Sequence, residues 1–206
     1  LLAVVSWSTV ATAFKLSLVH MRPTALVFLA SAVSFTIYTG LLFFRGNFCG
    51  NFRIPRRSLL KLMGLGCLNP ALYYLILFNA YDRLPAQIAQ PLNQLWPLVL
   101  ALMSVVLLGH RLNRSDITGM GLGLVGVIVV STGGSMIGTD TFDRLGVILA
   151  LFSSIIWAAY WLWSVRANTA EPVKLFVNFA VGTLVTGLFA WHSGSLTKLT
   201  TAGLIG

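Results

Sequence analysis

Seven apolar runs of roughly 20 residues follow one another along the chain, and at a helical rise of about 1.5 Å per residue each can cross a hydrocarbon layer about 30 Å thick. They cover about Leu1 to Val19, Pro23 to Phe44, Leu62 to Tyr81, Ala86 to Gly109, Ile117 to Thr132, Gly146 to Trp163 and Phe176 to Trp191. Inside a bilayer the backbone must satisfy its own N–H and C=O groups, so runs of this length predict helices. Composition agrees: of 206 residues 57% are hydrophobic and 9% charged, with a mean hydropathy of +0.85, whereas soluble domains carry about 25% charged residues. The remaining connections are too short to hold a soluble catalytic or ligand domain. The expected fold is therefore an all-α integral membrane protein, a multispanning helix bundle. Soluble enzymes and nucleic-acid modules are excluded.

The net charge of +9 would point to a polyanion in a soluble protein, but here its distribution matters more. The second connection carries Arg45, Arg53, Arg56, Arg57 and Lys61, and with the fourth and sixth that side totals +7, against +1 for the odd-numbered connections. By the positive-inside rule the even connections face the cytoplasm and the protein is a multi-pass component of the cell inner (plasma) membrane. Arg22-Pro23, Asp82-Arg83-Leu84-Pro85, Gly133-Gly134 and Glu171-Pro172 are turn or helix-start signals between the spans. Both ends are expected to continue: Leu1 already lies in an apolar run, and Gly203-Leu204-Ile205-Gly206 reads as the opening of an eighth helix. Cys49 and Cys67 have no metal or disulfide spacing, and His20, His110 and His192 sit at span ends on different connections, so neither a metal nor a cofactor is expected.

Placing Leu1 to Lys15 on Leu151 to Val165 superposes Trp7 on Trp157, and Thr39-Gly40-Leu41 then matches Thr186-Gly187-Leu188 one helix later. Five spans fall within that period, and an odd number makes the second copy enter from the opposite face. An inverted repeat of this kind is characteristic of secondary transporters, whose site lies near the midplane between the halves.

Three segments carry a resemblance to a known family. Trp7-Ser8-Thr9 with Lys15 looks like a first-helix pattern; Leu92 to Gly126 joins a proline-rich polar start ending at Pro97 to Gly109-x-Arg111-Leu112, Gly119 and Gly126; and Gly146 to Arg166 contains Trp157-Ala158-x-Tyr160. Together these resemble the EamA-like branch of the drug/metabolite transporter superfamily along nearly the whole chain. His110 departs from that pattern, standing where the family usually has Glu. The resemblance implies ten helices in two inverted five-helix units, a first unit over 1–134 and the start of a second over 146–206, so that seven helices and the start of an eighth are present here. It also implies movement of small metabolites, usually outward.

Polar groups inside a span are costly unless they face a cavity or a partner, which makes them the default site candidates. Gln87, Gln90 and Gln94 recur at helical spacing with Asn93 beside them and prolines at 91 and 97, giving a bent, amide-lined helix for an uncharged or zwitterionic ligand; the bland alternative is interhelical hydrogen bonding. Asn69-Pro70 with Tyr73 and Tyr74 supplies a second kink with polar groups, or a purely structural one. Trp7, Trp157, Tyr160 and Trp161 can line an aromatic cavity, although Trp and Tyr also populate interfacial belts. Lys15, the charged residue placed well inside a span, can bind a carboxylate, or snorkel to the headgroups. No Asp or Glu lies mid-span, so carboxylate-based proton coupling has no support. Gly119-x-x-x-Gly123 permits close helix packing.

These residues predict a secondary transporter of small metabolites, amino acids or related compounds or amphipathic drugs, working by alternating access. The alternative is an intramembrane enzyme, needing a pair such as Lys15 with a serine, or a membrane scaffold. The expected partners are a small-molecule substrate and the lipid bilayer, with a homodimer allowed and no nucleic acid.

Overall fold

The computed structural model describes residues 2–44, 54–131 and 143–196, with side chains described from Thr9 onward. The elements are α1 (Leu2–His20), α2 (Pro23–Phe44), α3 (Arg56–Gly66), a wide turn (Cys67–Leu72), α4 (Tyr73–Arg83), α5 (Ala86–Asn93), α6 (Trp96–Leu108), α7 (Arg114–Ser131), α8 (Arg144–Val165) and α9 (Glu171–His192). Among the described residues there is no strand. Among the described residues six stretches are long and apolar enough to cross a membrane: Pro23–Phe44, Arg56–Arg83, Ala86–Leu108, Arg114–Ser131, Arg144–Val165 and Glu171–His192. The fold is a multispan helical bundle, and the protein is a multi-pass membrane protein. Exposed side chains such as Val106 (81% exposed) and Leu122 (69%) are the ordinary lipid-facing surface of such helices.

Proline chemistry explains the two broken spans. Pro70 has no N–H for the carbonyl one turn back, and the backbone leaves helical geometry at Asn69 (φ −142°, ψ 120°) between α3 and α4. In the next span α5 ends at Gln94 (φ −68°, ψ 2°) and α6 restarts with Pro97 in its first turn. Pro91 and Pro97 leave the carbonyls of Gln87 and Asn93 without their helical donors. Gly109 closes α6 in the left-handed region (φ 67°), its N–H bonding to the Val105 carbonyl at 3.1 Å.

The chain divides into two compact units, 1–19 with 76–162 and 20–75 with 163–206. In the second unit α9 is the central element and packs on α2, α3 and the wide turn. Tyr38 stacks on Phe179 with centroids 5.7 Å apart, and Phe35 meets Phe176 at 5.2 Å. The kink seats into a notch on α9: a Cβ added at Gly182 would lie 2.3 Å from Cγ of Pro70, and one at Gly66 2.9 Å from the Asn178 carbonyl oxygen. Small residues let backbones approach closely where lipid supplies no hydrophobic drive. Lys174, read from sequence as a connection charge, is inside α9 and 3% exposed. Its ammonium donates to the Ser164 carbonyl at 3.0 Å and pairs with Glu171 at 2.6 Å, so it caps the negative C-terminal end of α8.

In the first unit α5 packs against α7. Among the described residues the glycine stripe of α7 does not make the close helix contact its spacing allows: Gly119, Gly121 and Gly126 have nothing within 4 Å of an added Cβ, and Gly123 meets the Leu98 side chain at 3.4 Å. Spacing of small residues permits an interface, but a partner must lie opposite to form one.

Asp143 caps α8, its Oδ1 accepting from the N–H groups of Leu145 (2.9 Å) and Gly146 (3.1 Å), while Arg83 donates to Oδ2 at 2.8 Å. The Arg83 hydrogen bond above all, then the Gly146 N–H, holds this carboxyl below its ordinary value of 3.8. A depressed folded-state value means that the stabilisation is complete above the unfolded carboxylate range and is lost as pH falls through the folded value. In a thermal-unfolding series from neutral to strongly acidic pH, Asp143→Asn is expected to flatten the fall in melting temperature below about pH 4. An unchanged acid limb in that variant removes Asp143 as its cause.

Candidate functional site

Proline 85 starts the chemistry of the first unit. The Tyr81 carbonyl, which a helical N–H at position 85 would occupy, faces a proline instead, and it accepts from the ammonium of Lys15 on α1. Lys15 is half-buried and bonded to a neighbouring helix. The Tyr81 side chain is itself fully buried, with Phe14 edge-on at 5.9 Å. Its hydroxyl donates to Oε1 of Gln90. One residue, Tyr81, thereby ties α1 to α5 through its backbone and its ring.

One turn further along α5, Asn93 is 4% exposed and its Nδ2 donates to Oγ of Ser153 on α8 at 2.9 Å. The Ser153 hydroxyl in turn donates to the Ala150 carbonyl at 2.6 Å. Ser153, Trp157 and Tyr160 recur at i, i+4 and i+7, so they share one face of α8. On that face Trp157 stacks against Tyr160 at 5.6 Å, Trp96 lies nearly parallel to Trp161 at 6.4 Å (14° between planes), and Trp96 meets Trp157 edge-on at 6.5 Å. Four aromatic side chains thus adjoin the amide and hydroxyl pair.

A cavity of about 460 Å³ opens beside this network, lined by Thr12, Lys15, Arg83, Leu84 and Gln87. Lys15 carries three ammonium N–H donors, one of which goes to the Tyr81 carbonyl. Arg83 is partly neutralised by Asp143.

The first unit therefore brings together Lys15, Gln90, Asn93, Trp157 and Tyr160. Gln94 lies apart: the break at that residue turns it outward, exposed, where it accepts from the Trp96 indole at 3.1 Å. Asn69 and Tyr73 belong to the second unit, both buried at the kink. Asn69 Oδ1 has no hydrogen-bond partner among the described residues, and the Tyr73 ring lies 4.8 Å from that of Tyr74. The Trp7 side chain lies outside the described residues. Sequence reasoning missed Tyr81, Ser153 and Trp96. The signals were present in the proline four residues after Tyr81, in the mid-span Ser153-Ser154 pair, and in Trp96 lying between Gln94 and Pro97.

Residues 1–132 match the family model of the EamA-like transporter family. An uncharacterized transporter of Archaeoglobus fulgidus is 23% identical over 159 residues, covering 77% of this chain and 53% of that protein. The aromatic amino acid exporter YddG of Ancylobacter novellus is 28% identical over 190 residues, covering 88% of this chain and 61% of that protein. The chain thus spans somewhat more than half the length of these curated relatives. With a family match that covers well over half of its residues, this multispan helical chain belongs to the EamA-like transporter family.

Proposed function

We propose that the protein is a secondary transporter of the cytoplasmic membrane that exports small metabolites, with aromatic amino acids as its substrate class. The observation that carries this reading is the juxtaposition, within one unit, of the Lys15–Tyr81–Gln90 chain, the Asn93–Ser153 pair and the Trp96, Trp157, Tyr160 and Trp161 rings. An aromatic amino acid needs a cation for its carboxylate, acceptors for its ammonium and a π-rich surface for its ring. Lys15 offers the first, Gln90 and Asn93 amide oxygens the second, and the four rings the third. A sugar phosphate would call for several cavity arginines or lysines instead. The Ancylobacter relative, named as an aromatic amino acid exporter, supports the same substrate class.

Asn69 and Tyr73 are assigned as substrate contacts within the second unit, where Asn69 Oδ1 is buried and has no hydrogen-bond partner among the described residues. The unit boundaries 1–134 and 146–206, their inverted relation and cytoplasmic even connections belong to this reading. Antiparallel alternation of the spans is supported by contacts between connections: Arg83 meets Asp143 between the third and the fifth, and Arg22 of the first donates to the Ser193 carbonyl of the seventh at 3.4 Å. Odd connections thus lie with odd ones, as antiparallel spans require.

Counterflow into proteoliposomes tests the proposal. With each amino acid preloaded in turn, saturable exchange of labelled phenylalanine, tyrosine or tryptophan is expected, and none of glutamate or a sugar phosphate. Correctly inserted protein that exchanges no aromatic amino acid overturns the substrate class; one that exchanges nothing across a broad metabolite panel overturns transport.

A further inference from the structure

A second cavity, of about 490 Å³, lies within the other unit, lined by Lys61, Gly64, Leu65 and Leu68 of α3 and the following turn together with Trp163 and Arg166 at the end of α8. The α3-side residues fall at i, i+3, i+4 and i+7, one continuous face. Nothing in the proposed transport path uses it. We propose that this cavity holds the phosphate of an anionic phospholipid, with Lys61 and Arg166 on the headgroup and Gly64, Leu65, Leu68 and Trp163 along the upper acyl chain.

Charge accounting carries the first half. The chain has only five acidic residues, and the second connection, from Arg45 to Lys61, contains none. On the sixth connection the one carboxylate, Glu171, is taken by Lys174 at 2.6 Å. Neither Lys61 nor Arg166 forms an ion pair among the described residues, and both are exposed. Two cations converge on one cavity, and among the described residues no carboxylate pairs with either. A basic pocket between spans is the ordinary site of an anionic headgroup.

Shape and polarity carry the second half. Beside the two cations the lining is apolar, and a Cβ added at Gly64 would meet nothing within 4 Å among the described residues, which leaves a slot beside the helix. Trp163 is 49% exposed, an amphipathic ring of the kind enriched where headgroups meet acyl chains. A free phosphate gains nothing from this lining, whereas an acyl chain buries it. The volume is that of an ordinary ligand site.

Native mass spectrometry of the purified protein, titrated separately with phosphatidylglycerol, phosphatidylcholine and inorganic phosphate, tests the proposal. One phosphatidylglycerol is expected to be retained most tightly. Each of Lys61→Gln and Arg166→Gln is expected to weaken it about fivefold, and the double variant roughly thirtyfold, to the phosphatidylcholine level. Lys61→Arg should retain it, and Gly64→Leu, which fills the slot, should weaken both lipids. Equal retention of phosphatidylglycerol by the parent and the double variant overturns the site. Equal retention of the two lipids by the parent overturns the charge argument, and displacement by equimolar inorganic phosphate makes the occupant a free anion rather than a lipid.

Discussion

Gln90→Leu and Asn93→Leu are each expected to reduce counterflow of an aromatic amino acid at least a hundredfold while leaving expression and thermal stability near those of the parent. The two halves of that expectation have different physical sources. Interhelical hydrogen bonds in membrane proteins contribute on average about 0.6 kcal/mol, because the unfolded chain in the bilayer also finds partners. Replacing Asn93 by a leucine of similar size therefore costs little, and Ser153 keeps its bond to the Ala150 carbonyl at 2.6 Å. Gln90 is only partly buried, and its loss frees the Tyr81 hydroxyl to turn towards other acceptors. Transport is different: a buried site that hydrogen-bonds its substrate loses orders of magnitude when a polar group is deleted, since the substrate's own donor is then desolvated without compensation. Parent-like rates in both variants would remove these amides from the site, and a loss of folded protein in both would make them structural ties.

Gly182→Ala is expected to do the reverse, destabilising the protein by about 3 kcal/mol, the upper part of the range for overpacking. The added methyl would sit 2.3 Å from Cγ and 2.7 Å from Cδ of Pro70. A proline ring has no rotamer by which to retreat, so either α9 or the kinked turn must shift. Gly40→Ala is the matched control: Gly40 also lies in a span but has nothing within 4 Å, so the variant should unfold at or slightly above the parent temperature. Thermal unfolding in detergent with the monodisperse fraction read by size exclusion checks both. A Gly182→Ala protein as stable as Gly40→Ala would show that the kink does not seat on α9.

Much of the architecture was legible from residues read one after another. Pro23–Phe44 is reproduced to the residue, and the prolines at 70, 91 and 97 mark the two spans that break. These features are local: hydropathy over 20 residues decides whether a segment leaves water, and a missing N–H disturbs the carbonyl one turn away whatever the surroundings. The positions of mid-span polar residues were equally open to reading, because their cost in hydrocarbon makes each one a question.

Their partners were not. Lys15 and the Tyr81 carbonyl are separated by 66 residues, and Asn93 and Ser153 by 60. Periodicity suggested that Gln87, Gln90 and Gln94 act as one face, yet the break at Gln94 divides them, and Gln90 is satisfied by a tyrosine that sequence reasoning passed over. Likewise the glycines of α7 have the spacing of a packing motif but no close neighbour among the described residues, while a tight helix contact forms at Gly182, where the approach of Pro70 shows why a side chain cannot stand. Segment chemistry specifies which groups require a partner. Which group answers depends on the packing of helices distant in the chain, and no residue carries that information without the others in place.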